Sequence, residues 1–431
     1  MKIIIKNGHI IDPSQGLDEI GDVIIKDGKI AEIIMDKSGK KMKDKDPSMQ
    51  AVDASGFFVM PGFVDMHSHL REPGYEYKET IRTGTIAAVR GGFTSVCPMP
   101  NTNPVNDNVS VTKYIIKKAL EEGSCSVFPV GAITKDSQGK ELSEIGLLKE
   151  AGCVAFSDDG RPVVNSLIMR RALEYSKAFG VPIITHPEDL TLSDNGVMNE
   201  GSLSTLLGLK GIPPAAEEAM IARDTILAEI TGGILHVAHV STAGGIKLIK
   251  GAKERGIKIT AETCPHYFSI TEDAINGYNT NAKVNPPLRT QKDVDAVIQG
   301  LKDGTIDVIA TDHAPHHRDE KNREFDKAPF GISGFETALG LSLRLVHNGV
   351  LTLSQLVEKM SFMPAKILNL SKGTLKIGSD ADLILVDINK QWTVDPDKFA
   401  SLGKNTPFTG WILKGLAVVA IHKGQIFDLR I

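Results

Sequence analysis

The sequence predicts an α/β protein: a (β/α)8 TIM-like barrel with a small β-sandwich domain formed by both chain ends. Three observations predict it. Eight short apolar runs alternate with helix-like segments through the middle of the chain, β-branched runs punctuated by Gly and Asp occupy both ends, and polar residues gather just after the central runs. The third observation separates a barrel from a doubly wound sheet, because barrel chemistry collects at the C-terminal ends of the strands. At 431 residues the chain is long enough for such a barrel and a satellite domain.

In chain order, runs 2–5, 22–25 and 30–34 are rich in Ile and Val and are separated by turn signals at Asn7-Gly8 and Asp27-Gly28. A lysine-rich stretch with one proline at 36–49 reads as a solvated loop. The central apolar runs are 63–66, 94–97, 126–130, 153–156, 182–184, 234–237, 258–261 and 307–310, with helical patterns including 109–122, 167–179, 215–230, 245–255 and 291–302. After them 373–387, 411–421 and 425–429 return to β-type sequence. Neither end is large enough to fold alone, so the expected division is 1–58 and 371–431 as one composite β-domain around a barrel at 59–370.

Composition narrows the function classes. With 49 Lys+Arg against 53 Asp+Glu and a net charge of −4, no electrostatic case exists for nucleic acid or an anionic membrane as partner. Cys97, Cys125, Cys153 and Cys264 are scattered without a CxxC pair, which suits reduced thiols of a cytoplasmic protein. No run of 18 uncharged apolar residues occurs, and the opening apolar run is broken by Lys6, so neither a membrane span nor a signal peptide is expected.

The chemistry lies after the strands. His67 and His69 are two apart, so on an extended strand they share a face and can reach one metal ion. Taken alone an HxH pair is weak, but further candidates follow four other runs: Asp158-Asp159, His186, His236 with His239, and Asp312-His313. A nitrogen- and oxygen-rich set without cysteine suits Zn²⁺ in a catalytic site. Strand parity favours His239 over His236, which is expected to pack outside the barrel, and turns His313 away from Asp312. Asp312 can touch a metal with one lone pair and accept a proton with another; the bland alternative is a helix N-cap. His266 is as readily an ordinary loop histidine as a site residue. Arg71 follows His69 by two and offers a fork for a substrate carboxylate, or else a salt bridge to Glu72 or Glu79. Asn101 and Asn285 are amide donors or turn residues beside proline, and 315–334 has the composition of a mobile active-site loop.

These residues form recognisable motifs. The segment DMHSHLREPG at 65–74, PMPNT at 98–102, FSDDG at 156–160, HVST at 239–242, KVNPPLR at 283–289, ATDHAPH at 310–316 and GSDADL at 378–383 together resemble the monofunctional bacterial dihydroorotases of the amidohydrolase superfamily, over essentially the whole chain. The resemblance implies metal ligation by His67, His69, Asp159, His186, His239 and Asp312, with one or two Zn²⁺ per subunit. It implies Asp159 as the bridging ligand, in place of the carboxylated lysine of many relatives, and Asp312 as proton shuttle. Sequence alone leaves Asp158 and Asp159 open; the family's spacing to His186 favours Asp159. Substrate contacts are implied for His69, Leu70, Arg71, Asn101, Asn285, His316, Phe330 and Gly331. The implied activity is zinc-dependent, reversible cyclisation of N-carbamoyl-L-aspartate to (S)-dihydroorotate in pyrimidine biosynthesis. Besides a small-molecule substrate, the resemblance leaves two associations open: an aspartate transcarbamoylase partner and a homo-oligomer. The alternatives are a hydantoinase, dihydropyrimidinase or allantoinase, which would not need Arg71, and an inactive dihydroorotase-like scaffold, which would have lost ligands that this chain keeps.

Overall fold

The computed structural model describes residues 2–35 and 49–430. The lysine-rich stretch therefore lies outside the described residues except for Met49.

Eight parallel strand positions form the barrel: Phe63–Ser68, Phe93–Pro98, Ser126–Val127 continued by Val130–Gly131, Ala155–Ser157, Ile183–Thr185, Leu235–Val237, Ile259–Thr263 and Val308–Ile309. The third is split, its first half pairing with Phe93–Pro98 and its second with Ala155–Ser157. Closure is made by a parallel bridge between Ser68 and His313, where His69 N–H donates to His313 O at 2.8 Å. The strands are short because each is buried on both faces and hands over to a loop as soon as it reaches the mouth. Met66, Cys97, Val130, Ala155, Ile184, Ala238 and Val308 fill the interior, while Phe63, Val96, Phe156, Ile183, Leu235, Val237 and Ile309 pack outward against the helices.

The helices Ile81–Arg90, Val109–Glu122, Ile145–Ala151, Ser166–Lys177, Pro214–Thr231, Ala243–Glu254, Gln291–Asp303 and Phe335–His347 surround the strands. Their starts carry the expected chemistry: Asn108, Asn165 and Thr242 side chains each accept from a backbone N–H one or two residues into the first turn.

The chain ends share one eight-stranded sheet, in the order Gln425–Asp428, Ile412–His422, Leu383–Thr393, Phe58–Pro61, Lys2–Asp12, Leu17–Lys26 and Lys29–Met35, with Gln50–Asp53 also on Lys2–Asp12. Phe58–Pro61 is the seam, antiparallel to the C-terminal strand and parallel to the N-terminal one. Ile3, Ile5, Ile10, Val23, Ile25, Leu383, Leu385 and Ile421 give the sheet its own core. Asp27-Gly28 forms the hairpin as expected, with φ of 51° and 74°. The Asn7-Gly8 expectation fails. These residues sit inside strand Lys2–Asp12 at a register shift, and the turn comes later at Pro13–Gln15. Asn7 adopts φ 59°, and a Cβ on Gly8 would lie 2.3 Å from Val59 Cγ2, so the pair makes a bulge against the neighbouring strand.

Candidate active site

The barrel mouth holds a cavity of about 310 Å³ lined by His69, Arg71, Asn101, Asp159, His186, His239, Asn285, Asp312, His316, Phe330 and Gly331, among others. Six side chains from five strand ends meet at its floor. His67 Nε2 lies 3.3 Å from Asp159 Oδ1 and 3.5 Å from Asp312 Oδ1. His69 Nε2 is 3.1 Å from Asp312 Oδ1 and 3.5 Å from Asp159 Oδ2. His186 Nδ1 and His239 Nε2 each lie 3.5 Å from Asp159 Oδ1, and 2.8 Å from each other.

This arrangement fits a metal ion. His67 Nε2 and Asp159 Oδ1 are buried without a hydrogen-bond partner, although they face each other across the floor. Imidazole nitrogens converging on two carboxylates, with two of those nitrogens in mutual contact, form a donor set whose chemistry fits a cation. Burial opposes ionisation of Asp159 and Asp312, yet His67 with His186 holds the first well below the usual carboxylate range, and His67 with His69 holds the second at about 2. Both carboxylates are ready to act as anionic ligands.

Local backbone delivers these groups. Arg71, His239 and Asp312 adopt φ of 62°, 37° and 44°, a region that L-residues rarely enter and that recurs at functional sites. Each turn swings a side chain into the mouth just past a strand end, which strict period-two counting cannot foresee. The parity argument about His236 fails for this reason. His236 alternates with the outward-facing Leu235 and Val237, so it points into the barrel, where it donates from Nε2 to Glu262 Oε2 at 3.2 Å. His239 reaches the same interior through its left-handed turn.

The structure separates Asp158 from Asp159. Asp158 Oδ1 accepts from Ile133 N and Thr134 N at 2.8 and 3.0 Å, and its Oδ2 accepts from Thr134 Oγ1, so its lone pairs brace the neighbouring strand. His313 turns away as expected: its Nδ1 accepts from Gly334 N at 3.1 Å and its ring stacks on Phe335. Leu70 does not line the cavity; its side chain packs in the apolar layer with Ile81 and Val89. His266 is buried beside Cys264 and Asp312, outside the cavity lining.

On the opposite wall Arg71 Nε donates to Pro315 O at 3.2 Å, and its Nη2 lies 3.3 Å from His316 Nε2. Glu72 and Glu79 are engaged elsewhere, Glu72 on Ile81 N and Tyr114 Oη, Glu79 on Ser401 Oγ and Thr83 Oγ1. The salt-bridge alternative for Arg71 is thereby removed. Burial, reinforced by Arg71 and Lys78, pushes His316 down to about 3, so its ring is neutral. Asn101 Oδ1 accepts from His69 Nδ1 at 2.9 Å, and Asn285 Nδ2 donates to Glu188 Oε2 at 2.9 Å.

Comparison with known proteins agrees with this geometry. The family described as Dihydro-orotase-like matches residues 56–244, and the Amidohydrolase family matches residues 215–425. A dihydroorotase of Geobacter metallireducens is 59% identical over 430 residues, with 100% of each chain covered. One of Syntrophus aciditrophicus is 55% identical, with 99% of each covered. The chain belongs to the dihydroorotase family. Solved structures place this dihydroorotase-family chain among the amidohydrolase barrels: the L-hydantoinase (dihydropyrimidinase) of Arthrobacter aurescens superposes with a TM-score of 0.88 at 28% identity, over 99% of this chain and 96% of that one. A D-hydantoinase superposes with a TM-score of 0.85 at 25% identity, covering 99% and 95%.

Three site residues of this family member escape sequence reasoning. Glu262 accepts from His67 Nδ1 at 2.5 Å and from His236 Nε2, so it fixes the His67 ring from behind. Asp65 accepts from Thr311 N and Oγ1 at 2.9 and 2.6 Å, pinning the residue before Asp312. Glu188 accepts from Asn285 and lies 3.3 Å from His186 Nε2. A charged residue inside an otherwise apolar strand was the available signal for Glu262 and Asp65; Glu188 follows its strand and left none. Among the described residues no helix is long and apolar enough to cross a membrane.

Proposed function

We propose that the chain is a zinc-dependent dihydroorotase, interconverting N-carbamoyl-L-aspartate and (S)-dihydroorotate in pyrimidine biosynthesis. The observation that carries this reading is the single cavity lined both by the metal-ligand cluster and by the Arg71 guanidinium beside His316. His67, His69, Asp159, His186, His239 and Asp312 would hold one or two Zn²⁺. When bound there, zinc supplies Lewis-acid polarisation of a carbonyl and acidifies water.

The chain's own groups do the rest. Arg71, Asn101 and His316 would hold the substrate carboxylate that stays outside the reaction, with Asn285 and the Phe330–Gly331 backbone against the ring. In hydrolysis Asp312 takes a proton from the attacking water and delivers it to the departing ring nitrogen. In synthesis the ureido nitrogen attacks the side-chain carboxylate carbon; Asp312 takes the proton that nitrogen loses and passes it to a carboxylate oxygen, which leaves as hydroxide and gains its second proton from solvent. Fixing both ends of the substrate supplies much of the rate of a ring closure, with effective molarities on the order of 10⁵ M. A cytoplasmic location, the division at 58/59 and 370/371, and association with an aspartate transcarbamoylase or a second copy of the chain belong to the same proposal.

The test is kcat/KM for dihydroorotate, dihydrouracil, hydantoin and allantoin, with zinc analysis of the same preparation. Strong preference for dihydroorotate is expected, because a half-buried arginine that a bound ring desolvates without pairing penalises uncharged rings. Comparable rates on dihydrouracil would favour the hydantoinase reading instead.

Glu262→Gln tests the metal site separately. It keeps the side-chain volume but loses the charge behind His67, and zinc affinity is expected to fall roughly 10–100-fold in competition with a chelator. His236→Ala, which parity alone would leave silent, should weaken zinc to a smaller degree through the same Glu262. Parental affinity in Glu262→Gln would refute the support assigned to this pair.

A further inference from the structure

The connection between the neighbouring sheet strands Leu383–Thr393 and Ile412–His422 passes the active-site mouth at Gly403–Asn405, and Asn405 is buried there. Its amide bonds entirely to the segment that carries His316 and Gly331. Nδ2 donates to Ala314 O at 3.0 Å and to Gly331 O at 2.9 Å, and Oδ1 accepts from His316 N at 2.9 Å and from Ser333 Oγ at 3.0 Å. Asn405 O accepts from Ser333 N at 2.8 Å. Two carbonyls on one side and a backbone N–H on the other leave no choice of amide orientation.

We propose that Asn405 is a positioning residue for the dihydroorotate cavity, acting through the His316 and Gly331 backbone without touching substrate. This rests on the function proposed above. Ala314 and Gly331 stand at the two ends of the segment expected to be mobile, and the two Asn405 N–H groups span them. The Oδ1 contact sets the His316 backbone, and the His316 ring in turn meets Phe330 O at 2.8 Å and Arg71 at 3.3 Å. Lys321 completes the fastening from within the segment: its buried ammonium donates to Pro329 O at 2.9 Å and Gly331 O at 3.1 Å. The His316 backbone and the Gly331 carbonyl, both at the proposed substrate cavity, are therefore held by one side chain from a distant part of the sequence.

The chemistry at the cavity floor does not depend on it, which makes the role separable. Asn405→Ala removes all four side-chain bonds. Asn405→Asp is isosteric and keeps the acceptor for His316 N, but sets an oxygen against Ala314 O and Gly331 O. Lys404→Met is the control: its ammonium bonds Phe399 O at 2.5 Å within the same inter-strand connection, the strap, and makes no hydrogen bond to the segment. Losing buried hydrogen bonds at the root of the wall should raise KM for dihydroorotate roughly tenfold or more in both Asn405 variants. Their kcat should stay within about threefold of the parent, with parental zinc content, and Lys404→Met should keep a parental KM.

Thermal shift is the second readout: at one fixed dihydroorotate concentration the Asn405 variants should gain less stabilisation than the parent, while keeping that given by zinc. A soluble, zinc-loaded Asn405→Asp with parental KM overturns the role, and so does an equal KM rise in Lys404→Met, which would mean general loosening of the strap. A parent inactive on dihydroorotate would sink the function reading and this role with it, whereas an active parent with unaffected variants overturns only the role of Asn405.

Discussion

Asp312→Asn is expected to keep the fold and lose roughly 10²–10⁴-fold in kcat for dihydroorotate. The substitution changes almost no volume, and Thr311 remains pinned by Asp65, so the backbone at φ 44° is preserved. What disappears is the acceptor. Asp312 Oδ1 sits 3.1 Å from His69 Nε2 with a carboxylate held at about 2, ionised at any working pH. An amide in its place cannot take a proton from water or carry one to the ring nitrogen. Zinc content should remain near parental because His67, His69, Asp159, His186 and His239 are untouched, and zinc analysis beside the ring-opening assay separates the two effects. A zinc-loaded variant turning over at the parental rate would show that the proton moves elsewhere.

Arg71→Met is expected to lower kcat/KM for dihydroorotate roughly 30-fold or more. Truncating one partner of a desolvated, hydrogen-bonded charge pair costs about 2–5 kcal/mol, and each ~1.4 kcal/mol is tenfold. The guanidinium is placed for such a pair. It is half-buried at the cavity wall, tied to Pro315 O through Nε, and faces no carboxylate within bonding distance among the described residues. The loss should be selective. Turnover of dihydrouracil, which lacks the carboxylate, should fall far less or rise, because the variant no longer leaves a cation unpaired. Arg71→Lys should recover only part of the loss, since an ammonium is a point charge and not a fork. Equal losses on both rings would mean that Arg71 serves the loop through Pro315 and not the substrate.

Much of the site was legible because its residue types are unusual where they stand. His67 and His69 at a strand end, Arg71 two residues on, and Asp312 before a loop are polar groups in places where an apolar or turn residue would serve packing alone. The rhythm of apolar runs marked all eight barrel strands within a few residues, since a strand buried on both faces must be short and apolar. The misreadings have one origin. Asn7-Gly8 looked like a turn and is a bulge, because the same dipeptide satisfies a positive φ in either setting. His236 was assigned to the outer face because counting by two assumes a regular strand, and His239 at φ 37° is not in one.

The barrel, the joining of the chain ends and the polar groups after the strands were legible in the chain alone, because periodicity and residue chemistry are local properties. Three-dimensional packing was needed to tell which of two adjacent aspartates faces the floor, that Glu262 stands behind His67, and that Asn405 bonds the segment of His316 and Gly331. Asp158 and Asp159 are chemically identical, and what separates them is the pair of backbone N–H groups at Ile133 and Thr134 that claims the first. Glu262 and Asn405 lie 195 and 89 residues from the groups they hold. A hydrogen bond acts over about 3 Å of space whatever the separation along the chain, and one sequence carries no record of which distant atoms will come within that reach.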